Sequence, residues 1–60
     1  MMIFEVAIEG KKWQFADFSV AKAKYNDLLE EGFWEVTMRA IEDKTILIFN
    51  RSAQCFFPTK

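Results

Sequence analysis

Sixty residues make a single domain, 1–60, in which 52% of residues are apolar and 17% aromatic, the formal net charge is −1, one cysteine is present and histidine is missing. The scattered lysines and arginines form no basic run, which argues against nucleic acid as a partner. A single cysteine favours a reducing, cytoplasmic setting. The opening MMIFEVAIEG has no positive leader, and no apolar stretch approaches the length of a membrane span, so neither a signal peptide nor membrane association is expected.

The first segment alternates, with Phe4, Val6 and Ile8 set against Ile3, Glu5, Ala7 and Glu9, the period of a strand. Gly10-Lys11 offers a two-residue hairpin loop. That loop predicts a register in which Glu9 faces Lys12, Ile8 faces Trp13, Val6 faces Phe15 and Glu5 faces Ala16. Apolar residues then meet on one face. Strand character ends near Asp17-Phe18. Ser19 is the expected N-cap of a helix running through VAKAKYNDLLEE, with Ala21, Tyr25, Leu28 and Leu29 on its inner face. Gly32 is expected to end the helix at positive φ.

FWEVTMRAI alternates again, so a strand is predicted over 33–41. Trp34, Val36, Met38 and Ala40 would face the helix, and Phe33, Glu35, Thr37, Arg39 and Ile41 would face away. The turn EDK leads to the apolar run TILIFN, and QCFF reads as a short final strand closed by Pro58. The fold class is therefore α+β: an antiparallel sheet of four or five strands in ββαββ(β) order, with one helix packed on one face.

One short helix covers one sheet face. With the EDK turn centred on Asp43-Lys44, Ile46 and Ile48 join Ile3, Phe33 and Ile41 on the uncovered face; a loop one residue longer would place Leu47 and Phe49 there instead. Phe56 and Phe57 either close the subunit's own core or help to cover that second face. An apolar patch of this kind usually marks an interaction site. Ile3, Phe33, Ile41, Ile46, Ile48, Phe56 and Phe57 are accordingly the candidate partner-binding residues. The expected partners are a second copy, as a homodimer, and a protein target of unspecified identity.

No catalytic, metal or cofactor site is expected. Without histidine the commonest general base and metal ligand is missing. Cys55, lying among apolar neighbours, reads as a small buried hydrophobe. Glu5 and Glu9 share a strand face but stand about 13 Å apart, too far for a two-carboxylate site. The alternative function is a single-stranded nucleic-acid binder that stacks bases on the open face, where Phe33 is available but Glu5, Glu9 and Glu35 repel phosphate. The preferred reading is a small non-enzymatic protein-binding module. The plan resembles, in general type and on no specific motif, compact virus-encoded inhibitors and antitoxin-like proteins.

Overall fold

The computed structural model describes residues 1–58, which fold as five antiparallel strands and one helix. The elements are β1 (Met2–Ile8), β2 (Lys11–Phe15), α1 (Phe18–Glu30), β3 (Thr37–Glu42), β4 (Thr45–Asn50) and β5 (Cys55–Pro58). They form one sheet in the order β2-β1-β3-β4-β5. The expected ββαββ order is present, and the short fifth strand forms.

The first hairpin differs from its predicted register. Phe4 pairs with Phe15, Val6 with Trp13 and Ile8 with Lys11, so the two-residue loop is Glu9-Gly10. Gly10 occupies the second loop position at φ +87°, a conformation that glycine adopts without a Cβ penalty. Moving the loop by one residue shifts the pairing by two. The side-chain period of a strand is also two, so every residue keeps its face. The hydrophobic pattern is blind to this error.

The helix begins two residues earlier than expected. Asp17, in extended conformation, is the N-cap, and its Oδ1 accepts the Ser19 backbone N–H at 2.8 Å. Aspartate satisfies an orphan amide here as well as serine would. The earlier start brings Phe18 into the first turn, where its ring meets Phe4 at 5.6 Å and Phe56 at 5.9 Å. At the other end Gly32 has φ +107°. The Phe33 N–H reaches the Leu28 carbonyl and the Gly32 N–H the Leu29 carbonyl, both at 3.1 Å, the paired bonds of a Schellman cap.

That cap explains why no strand forms over 33–36. The Phe33 amide is committed to the helix, and the Trp34 carbonyl accepts from Arg51 Nη2 at 3.3 Å. Strand pairing becomes possible only where β1 offers a partner, and the first such pair is Ala7 with Thr37. β3 and β4 are joined through the two-residue loop Asp43-Lys44, since Glu42 pairs with Thr45. In the loop between β4 and β5, Asn50 Oδ1 takes the Ala53 N–H at 2.8 Å and the Asn50 carbonyl takes the Gln54 N–H at 2.7 Å.

The core lies between α1 and the sheet. Val6, Ala21, Tyr25, Leu28, Val36, Met38 and Phe49 are buried, with Phe4, Ile8, Trp13, Phe15, Leu29 and Phe56 packed around them. Val6 and Met38 are fully enclosed, and each contributes about 1.5–3 kcal/mol of transfer free energy. The helix packs on β1, β2 and β3. Aromatic rings extend the core toward the remaining strands: Tyr25 meets Phe49 at 5.3 Å, Phe49 meets Phe56 at 5.2 Å and Phe56 meets Phe4 at 6.0 Å. The helix therefore covers less than a whole face. Beyond its first turn an apolar groove of about 410 Å³ remains, lined by Met2, Phe4, Phe18, Leu47 and Phe56 among others.

Candidate functional site

The helix-free face follows from the pairing. Residues opposite one another across neighbouring strands share a face. Gln14, Glu5, Arg39, Ile48 and Phe57 thus form one row across all five strands, and Ile3, Ile41 and Ile46 form a second row beside it. The face has two halves. Toward β2 and β1 it is polar, and toward β4 and β5 it is apolar.

The polar half is organised around Glu5, which is only 3% exposed although no helix covers it. Arg39 Nε donates to Glu5 Oε1 at 3.0 Å, and Arg39 Nη2 donates to the same oxygen. Gln14 Nε2 donates to Oε2 at 3.3 Å, and Lys12 Nζ stands 3.9 Å from that oxygen. These side chains lie over the carboxylate and shield it. The Arg39 hydrogen bond holds the Glu5 carboxyl below the usual carboxylate range, aided by Gln14 and by the charges of Arg39 and Lys12, while partial burial opposes them. A group so thoroughly paired is a poor acid or base near neutrality.

In the apolar half Ile3, Ile41 and Ile46 are half-buried, Ile48 is exposed and Phe57 is 47% exposed. Five of the seven candidate residues therefore lie together as expected. The other two do not. Phe33 sits in the connection between α1 and β3, 43% exposed, and belongs to no strand. Phe56 points to the opposite side from Phe57 and packs into the subunit's own core against Phe4, Phe18 and Phe49. The two adjacent phenylalanines thus divide between the core and the open face. Cys55 is exposed, not buried as its neighbours suggested. Phe57 is the one aromatic side chain left on the open face among the described residues.

Trp34 was expected beneath the helix. It is 75% exposed, because the strand that would have turned it inward begins three residues later. Among the described residues no group of histidine, cysteine or carboxylate side chains could hold a metal ion, and no helix is long and apolar enough to cross a membrane. The chain matches no protein-family model, no curated protein and no solved structure.

Proposed function

We propose that this chain is a small, non-enzymatic protein-binding module that pairs with a second copy of itself through the helix-free sheet face. The observation that carries the reading is the contiguous apolar half of that face, formed by Ile3, Ile41, Ile48 and Phe57 beside Ile46, over which no element of the described residues packs. The neighbouring charges support it. Glu5 is already matched by Arg39 and Lys12 within the subunit, so an approaching copy meets no unpaired buried charge. A two-fold axis lets one self-complementary patch serve both partners.

Size sets the expected strength. Five strands at about 4.8 Å spacing, and about five residues at 3.3 Å each, give a face of roughly 400 Å² in projection. Two such faces total roughly 800 Å², below the standard range of specific interfaces, so the pairing is weak and reversible. A heterologous protein target would compete for the same surface, as in compact inhibitor and antitoxin-like proteins. The exposed thiol of Cys55 fits a reducing cytoplasmic setting, since oxidising conditions would leave it open to intermolecular cross-linking.

Sedimentation equilibrium from ten to several hundred micromolar tests the pairing. The expected result is a monomer–dimer equilibrium with a micromolar dissociation constant, abolished by Ile41→Asp and by Phe57→Asp without loss of the folded circular dichroism spectrum. A parent chain that stays monomeric throughout this range overturns it.

A further inference from the structure

A second surface lies at the opposite end of α1 from the ring cluster. Ile8 and Glu9, where β1 runs into its turn, and Gly32, Phe33, Trp34 and Glu35, in the connection from α1 to β3, line a cleft of about 340 Å³. That is at the small end of the range for ligand sites. We propose that this cleft receives an arginine side chain from a basic peptide segment, with the guanidinium stacked on Trp34 and its N–H fork taken by Glu9 and Glu35.

Three features carry this. The first is the exposed aromatic pair: Trp34 at 75% and Phe33 at 43% are large apolar surfaces that the fold leaves in water. Their backbone is nonetheless held. The Phe33 N–H is fixed to the Leu28 carbonyl, and the Trp34 carbonyl is fixed by Arg51 Nη2. With the backbone braced, only the two side-chain torsions of each ring remain to be ordered on binding, which suits a recognition anchor.

The second feature is charge. The salt bridges among the described residues involve only Glu42 and Glu5 as carboxylates, so Glu9 and Glu35 have none. Glu30 and Glu31 stand at the same end of α1, where the helix presents its partial negative charge and no basic residue occupies the last turn. Among the described residues the one cation bound to this connection, Arg51, is already committed to the Tyr25 hydroxyl and the Trp34 carbonyl.

The third feature is an internal parallel. The other tryptophan, Trp13, carries the Lys24 ammonium 4.3 Å from its ring centre. Trp34 has no such cation among the described residues. Arginine is favoured over lysine because its planar group can stack on an indole and bridge carboxylates in one pose.

The test is a two-dimensional ¹H–¹⁵N NMR titration of the full chain with blocked hexa-arginine, blocked hexa-lysine and a neutral oligosaccharide. Expected are saturable shifts at the amides of Glu9 and of residues 32–35 and at the Trp34 indole N–H. Ile41 and Ile48 on the open face should be unmoved. Hexa-arginine should bind several-fold more tightly than hexa-lysine. Trp34→Ala should weaken binding about two- to five-fold, the range of an exposed cation–π contact, and Glu9→Gln with Glu35→Gln should weaken it further. Shifts spread over the whole surface, or equal binding of the two peptides, overturn the proposal. So does saturation of the cleft by the oligosaccharide with no effect of the two carboxylate substitutions. Because the readout is residue by residue, it is independent of whether the open face dimerises.

Discussion

Replacing Glu5 by glutamine probes the one buried charge among the described residues. Glutamine keeps the shape and can still accept a hydrogen bond from Arg39 or Gln14, so the change isolates the charge. Hydrogen bonds to charged groups contribute about 1.5–3 kcal/mol and neutral ones about 1 kcal/mol, which bounds the loss at about 0.5–2 kcal/mol. The Arg39 side chain is 38% exposed, so water can partly replace its lost partner and the effect should lie near the lower bound. Sixty residues support a total stability of about 3–9 kcal/mol, so even this loss is a sizeable share. Urea unfolding at pH 7 should show the midpoint falling by about 0.3–0.5 M, given a slope near 1–2 kcal/mol/M. The pH dependence gives an independent check. The folded Glu5 carboxyl titrates below its unfolded counterpart. Its stabilisation is therefore complete above the unfolded value of about 4.3 and is lost as pH falls through the folded value. The difference between parent and variant should accordingly shrink in acid. A Glu5→Gln chain as stable as its parent at pH 7 would show that the carboxylate is effectively solvated, and a difference that does not shrink as the pH falls would show that it does not come from the charge; either result refutes the reasoning.

Other expectations rest on single observations. Gly32→Val should cost about 1 kcal/mol or more from backbone strain alone, since a Cβ at Gly32 would meet nothing within 4 Å; an unchanged thermal midpoint would contradict the cap. Asp17→Ala should cost about 1 kcal/mol by denaturant titration, whereas Ser19→Ala should cost much less, because Asp17 holds the capping role. Met38→Ala, at a fully enclosed site, should cost about 2–5 kcal/mol. Phe56→Ala should destabilise by about 2 kcal/mol as a partly buried ring, and Phe57→Ala by less than about 0.5 kcal/mol in the monomer, a contrast that equal values would refute.

The sequence made legible whatever depends on local pattern. The alternation around Val6, the inner face Ala21–Tyr25–Leu28–Leu29 and the positive φ of Gly32 all follow from periodicities or steric rules that act within a few residues. The Asp17 start was hidden because two good capping residues stand two apart and only tertiary contact, through Phe18, favours the earlier one. Trp34 misled for a related reason. Its alternation is that of a strand, but a strand needs a neighbour, and β1 ends too soon to supply one. The Glu5–Arg39 pair could not be read at all, since it depends on β1 lying beside β3 in one register. Phe56 and Phe57 were recognised as a problem of coverage, but only the pairing of β5 with β4 shows that one ring goes to each side.

The aromatic cluster also has a bearing on how the chain reaches this structure. Phe4 and Phe18 meet near one end of the helix, but the ring that completes their contact is Phe56, at the far end of the sequence. Closing Phe4 on Phe56 encloses nearly the whole chain in a loop, an entropic cost that must be met before those rings contribute anything. During synthesis the first hairpin and the helix emerge with two phenylalanines facing an empty site. Those two rings gain their third partner only when β5 pairs with β4. Contacts so distant in sequence favour local elements forming first and the ring cluster later.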